Sequence, residues 1–170
     1  EGEIHSRSAG STPREMGKDD SKYPYDRIFA AADLATQRGA EQLPEVKKLL
    51  QDSDSAVRYW GAVGILNRGA AAVQGSEKEL LAALKDDSSY VRIAAGYAFG
   101  KYGARPQQRK GIDALVAVAP WKKGADVFVS MAALNALDKL DSKAGYALET
   151  IRGFPTSGGV SPDGRYNKYV

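Results

Sequence analysis

The sequence predicts an all-α fold, a short right-handed α-solenoid of about three to four antiparallel helix pairs. Three observations carry this reading. The stretch DDSSYVRIAAGYAFGKYG from Asp86 to Gly103 echoes DSDSAVRYWGAVGILNRG from Asp52 to Gly69 at a constant offset of 34 residues (91 − 57, 92 − 58, 103 − 69). A fixed offset of that size marks a solenoid repeat. Within the copies, Val91, Ala94, Ala95, Ala98, Phe99 and Tyr102, and likewise Val57, Trp60, Gly61, Gly64 and Ile65, recur at three- and four-residue steps, the spacing of one helix face. No segment of the chain requires a strand.

Taken in order, residues 1–22 (EGEIHSRSAGSTPREMGKDDSK) are polar and aperiodic, and read as a linker or an extended surface arm. Pro24 opens a first helix from Tyr25 to Arg38 with Ile28, Ala31, Ala32 and Ala35 inward. Gly39 ends it 30 residues before Gly69 (69 − 39), so this helix reads as the second half of a degenerate capping repeat. Leu43 to Gln51 pairs with Ala56 to Arg68, and Glu77 to Lys85 pairs with Tyr90 to Tyr102, with a small-residue loop from Gly69 to Ser76 between the pairs. The acidic and Ser residues ahead of each second helix can cap its free amides. Gly69 and Gly103 are expected to stop the helices in a left-handed turn. A third, diverged pair runs from Gly111 to Ala119 and from Val127 to Leu140, with Ser130 in place of the Arg and Asp141 in place of the Gly. A helix from Ser142 to Arg152 closes a repeat region spanning residues 23–152, and the Gly/Pro/Ser-rich tail 153–170 is expected to be irregular.

Asp-x-x-x-x-Val-Arg followed by an Ala-rich helix and a Gly resembles a HEAT-type repeat in its short bacterial form. The resemblance is close in two repeats and fades at both ends. It implies that the Arg after Val sits in the groove between repeats and pairs with the acidic turn. That makes Arg58 and Arg92 rungs of a structural ladder, with Asp52 or Asp54 and Asp86 or Asp87 as partners. A ligand-binding role for the same arginines is the rival reading.

The net charge of +3 and pI near 9 permit contact with sulfated glycan or nucleic acid, yet no run of five basic residues argues for either. Arg105, Arg109, Lys110, Lys122 and Lys123 could gather at one end of the array and attract an anion, though a solvated end face explains them as well. No apolar run is long enough to span a bilayer. Zero Cys excludes thiolate chemistry, disulfides and Cys-based zinc sites. The one His, His5, leaves a Ser-His-Asp triad or His-based metal site little to build on. No catalytic constellation emerges, and no cofactor is expected. The chain begins without Met and reads as a piece of something longer.

One feature remains. The outward positions of the second helices, normally polar in such arrays, are Phe29, Tyr59, Val63, Ile93, Tyr97 and Met131. A row of large apolar residues on a concave face implies a cover, either a partner or the chain's own ends. Glu1–Ser8, Glu15-Met16-Gly17 and Tyr23-Pro24-Tyr25-Asp26-Arg27-Ile28 are similar to the junction after the catalytic domain of a group of bacterial sulfatases. That resemblance implies a parent enzyme hydrolysing sulfate esters or sulfamates with a formylglycine and a divalent cation, usually calcium, in the periplasm or outside the cell. None of its catalytic motifs is in this chain: Ser11-Thr12-Pro13-Arg14 puts Arg directly after Pro, where Cys/Ser-x-Pro-x-Arg is needed. The expected function is therefore a non-catalytic C-terminal repeat domain that docks its own catalytic domain or another protein. A stand-alone protein-interaction scaffold is the alternative, and anion, glycan or nucleic-acid binding through the basic end a weaker one.

Overall fold

The computed structural model describes residues 10–122 and 125–155, and these form ten α-helices and two 3-10 segments with no β-strand among the described residues. In chain order the helices are α1 (Pro13–Met16), α2 (Tyr25–Thr36), α3 (Leu43–Leu49), α4 (Ser55–Asn67), α5 (Ala70–Gln74), α6 (Glu77–Ala83), α7 (Ser89–Tyr102), α8 (Arg105–Val118), α9 (Val127–Asp138) and α10 (Leu148–Arg152). The 3-10 segments are Ala40–Gln42 and Asp141–Ala147.

The longer second helices pack in sequence, α2 on α4, α4 on α7 and α7 on α9, with α3 and α6 against α4 and α7. Three apolar clusters follow. Ile28, Ala31 and Val57 join α2 to α4. Val46, Ile65, Val73, Leu80, Val91 and Phe99 fill the space between α3 and α7. Ile93, Ile112, Leu115, Ala133, Leu137 and Leu140 fill the space from α7 to the closing turns. Helix α7 contributes to two of these clusters, and its Val91, Ile93–Gly96 and Ala98–Gly100 are all buried. A helix that buries residues on several of its faces belongs at the centre.

Helices α7 and α8 make the most extensive contact among the described elements. Glycine makes it possible: a β-carbon at Gly111 would lie 2.5 Å from the Gly96 carbonyl oxygen and 2.7 Å from Phe99 Cβ. The backbones touch because neither side chain is there to hold them apart.

Several expectations are corrected. The sequence predicted that α8 begins at Gly111, but it starts six residues earlier (111 − 105) with Arg105-Pro106. Proline in the first turn fits a helix start, and the solvent-facing first half carries no apolar stripe to betray it. The expected loop from Gly69 to Ser76 contains α5, whose Ala72 and Val73 are buried. The expected surface arm contains α1, and Met16 is buried with 3% exposure. The closing helix is a 3-10 segment followed by a short α-helix. Gly69 has the left-handed φ of 81°, but Gly103 is extended at −67° and leads into α8 two residues on (105 − 103). Of the expected caps, Asp54 accepts from the Ala56 and Val57 amides at 2.8 and 3.3 Å. Ser88 makes no side-chain cap. Asp86 instead accepts from the Ser88 amide at 2.8 Å. Residues 1–9, 123–124 and 156–170, including His5, Lys123 and most of the expected tail, lie outside the described residues.

The closing segment is fastened to α8 through Tyr146. Its hydroxyl donates to Asp113 Oδ1 at 2.8 Å, and the Arg109 guanidinium lies 3.7 Å over its ring. Burial first, then the Asp113 hydrogen bond and charge, push the phenol up to about 12 against the opposing pull of Arg109. One of the nine tyrosines should therefore ionise near pH 12 in an absorbance titration of the folded chain, and Tyr146→Phe should remove that step. A phenol held above its ordinary 10.0 supports the fold fully below pH 10, and the support is lost as pH rises from 10 through about 12.

Candidate functional site

The arginine ladder is built differently from its expected pairing. Arg58 forks onto Asp86, with Nε donating to Oδ2 at 2.7 Å and Nη2 to Oδ1 at 2.8 Å. Its Nη1 donates to the carbonyls of Asp52 and Ser53, both at 3.0 Å. The planar guanidinium thus holds its own turn by one edge and the next turn by the other. Asp52 and Asp54 are not its carboxylate partners: Asp54 caps α4, and Asp52 pairs with Arg27 at 3.3 Å. Burial raises the Asp86 carboxyl, but the Arg58 fork, the Ser88 amide and the charges of Arg58 and Arg92 outweigh it, so the group sits below its ordinary value. Arg92 repeats only half of this. It donates to the carbonyls of Asp86 and Asp87 and to Ser89 Oγ and makes no ion pair among the described residues; Asp87 contributes backbone, not its acid group. Ser130, in the third copy, is fully buried and ends the ladder. Sequence reasoning missed Arg68, which donates to the carbonyls of Leu34, Gly39 and Gly64 and locks the end of α2 to α4. It lies on the last turn, outside the repeated Val-Arg pattern, and gave no signal.

The expected basic end does not assemble. Arg105, Arg109 and Lys110 occupy the first half of α8, whereas Lys122 follows its far end. A helix of 14 residues separates the two groups by about 20 Å. Arg109 is also committed to Tyr146 and Asp113.

The expected apolar row is open at one end and closed at the other. Phe29 is 62% exposed and stacks on Tyr25, itself 55% exposed, with ring centroids 6.0 Å apart. Tyr59 and Val63 are half-buried, and Tyr59 meets the Trp60 ring edge-on at 5.5 Å. Ile93 was expected on an open face but is only 7% exposed, inside the cluster with Ile112 and Leu115. Tyr97 packs half-buried against the same cluster, under Lys101 Nζ at 5.7 Å from its ring, and Met131 is half-buried. The reason is the glycine contact of α7 with α8: it lays a helix over the face that carries Ile93. A change of Tyr97→Asp should therefore lower the melting temperature.

What remains as a candidate contact surface is the Tyr25–Phe29 pair on α2. Two aromatic rings in water beside the buried Ile28, Ala31 and Ala35 stripe present a rigid apolar area that association would cover. Sequence reasoning found Phe29 and missed Tyr25, although their four-residue spacing (29 − 25) places both on one helix face. Among the described residues, no group of three or more His, Cys, Asp or Glu side chains is placed to hold a metal ion, and no helix is long and apolar enough to cross a membrane. Comparisons of the chain with protein-family models, curated proteins and solved structures found no match.

Proposed function

We propose that this chain is a non-catalytic docking module whose helix pairs stack in the HEAT-like, solenoidal manner, and that it serves a sulfatase-like hydrolase as a C-terminal accessory domain. The observation that carries docking is the stacked, solvent-facing Tyr25–Phe29 pair. Aromatic anchors of this kind dominate the energetics of protein contacts, because they bury large area with few rotamers to fix. The 34-residue offset and the inter-turn fork of Arg58 onto Asp86 support the repeat reading. The junction-like residues Glu15–Gly17 and Tyr23–Ile28 support the hydrolase assignment, and Tyr25 and Ile28 of that stretch belong to the helix that carries the aromatic pair. The same surface would serve a stand-alone interaction scaffold, for which the repeat alone suffices.

Two measurements test this. The reading frame upstream of Glu1 should encode several hundred residues carrying Cys/Ser-x-Pro-x-Arg; an unrelated domain or a start codon would leave the scaffold reading. Where that region exists, the double change Tyr25→Ser and Phe29→Ser should weaken its association with this chain at least about tenfold in a calorimetric titration, about 1.4 kcal/mol. The melting temperature should move little, since both rings already face water. Unchanged affinity would remove the docking role from α2.

A further inference from the structure

We propose that the cleft at the C-terminal end of the described fold binds an extended peptide segment of a partner that presents a lysine or arginine beside an aliphatic side chain. This site is separate from Tyr25–Phe29 and does not depend on the reading given for that pair. The cleft has a volume of about 400 Å³ and lies between the end of α9, the 3-10 segment Asp141–Ala147 and α10. Its apolar wall is Leu134, Leu137, Leu148 and Ile151, and Asp138 and Asp141 stand with them. That volume is near the lower end of the roughly 300–1,000 Å³ usual for ligand clefts, room for a few side chains rather than a folded element.

Charge and polarity identify the occupant. Leu148 is 49% exposed, an apolar wall facing water. Neither Asp138 nor Asp141 forms an ion pair or side-chain hydrogen bond with a described residue, although Asp54, Asp86, Asp113 and Asp126 are all engaged. Asp141 holds a left-handed φ of 48°, the one non-glycine residue to do so among the described residues. The position could have been taken more cheaply by Gly, as at Gly69, and carries a carboxylate instead. A hydrocarbon wall beside two unneutralised carboxylates matches a side chain with an apolar stem and a cationic head, which covers the leucines with the one and reaches the acids with the other. An adjacent aliphatic side chain fills the rest of the cleft.

The test uses the full chain, isotope-labelled, titrated with the capped peptide Gly-Leu-Lys-Leu-Gly and followed by amide chemical shifts. Shifts should gather between residues 134 and 151, and the affinity should fall as salt rises from about 50 to about 500 mM. The same peptide with Glu in place of Lys should not bind. The double change Asp138→Asn and Asp141→Asn should weaken binding at least about tenfold while leaving the rest of the spectrum in place, because Asn tolerates the left-handed conformation as well as Asp does. Equal affinity for the double variant, equal binding of the Glu peptide, or no shifts in the cleft would overturn the proposal. So would cleft shifts produced by removing residues 156–170, which would give the cleft to this chain's own C-terminal segment. Shifts produced by protein concentration alone would give it to a second copy, with the same consequence. Tyr25→Ser with Phe29→Ser should leave peptide binding intact; its loss there would also count against a separate site.

Discussion

Gly111→Val should be the most damaging single substitution at a glycine among the described residues, lowering stability by about 3 kcal/mol. The β-carbon alone would sit 2.5 Å from the Gly96 carbonyl oxygen, 2.7 Å from Phe99 Cβ and 3.0 Å from the Gly100 amide nitrogen. Two of these three are backbone atoms of α7, so no rotamer change relieves them. The helices must separate, and separation pulls Ile112 and Leu115 away from Ile93. Gly111→Ala sets this clash against a helix-propensity gain of at most about 1 kcal/mol, and should still be destabilising. Gly145→Ala is the control, because a β-carbon there meets nothing within 4 Å; it should be neutral. Urea midpoints of the three variants check the order. An Ala variant at 111 as stable as the parent would mean that α7 and α8 are not held at backbone contact.

The two best-matched repeats were legible because each rule pointed to the same place. The 34-residue offset located α3, α4, α6 and α7 to within one or two residues, since a repeated apolar stripe is a statement about burial. What the stripe does not report is which side of a helix stays open. Ile93 and Tyr97 occupy the outward register of their repeat. Whether that register meets water depends on how closely the next helix approaches, and that was decided by Gly96 and Gly111, residues with no hydrophobic signal. The first half of α8 was invisible for a related reason: Arg105, Arg109 and Lys110 face solvent, so no periodicity marks them. At the candidate site the sequence exposed Phe29 through its misfit with an otherwise polar position. It hid Tyr25, which looked only like a helix start. The cleft was hidden altogether, because its walls come from α9, a 3-10 segment and α10, and a turn type that brings Asp141 beside Leu148 has no signature in composition.

The arginine ladder should show its asymmetry in stability. Arg58→Ala is expected to cost about 2 kcal/mol and Arg92→Ala about 1 kcal/mol or less. The side chains of Arg58 and Asp86 are only 17% and 11% exposed, so removal of Arg58 leaves a half-buried carboxylate without its fork. Removal of Arg92 frees two turn carbonyls and a hydroxyl, groups that water can serve. The acid limb separates the two further. Asp86 has a folded pKa below its ordinary 3.8, so its stabilisation is complete above that value and is lost as pH falls through the lower, folded one. The parent chain should lose stability on acidification below about pH 4, and Arg58→Ala should lose less over the same interval because its deficit is already present. Asp86→Ala combined with Arg58→Ala should cost less than the sum of the single changes, since each single change strands the other's partner. Equal costs for the two arginines with parallel acid limbs would mean that the inter-turn fork contributes no more than the backbone contacts the two residues share.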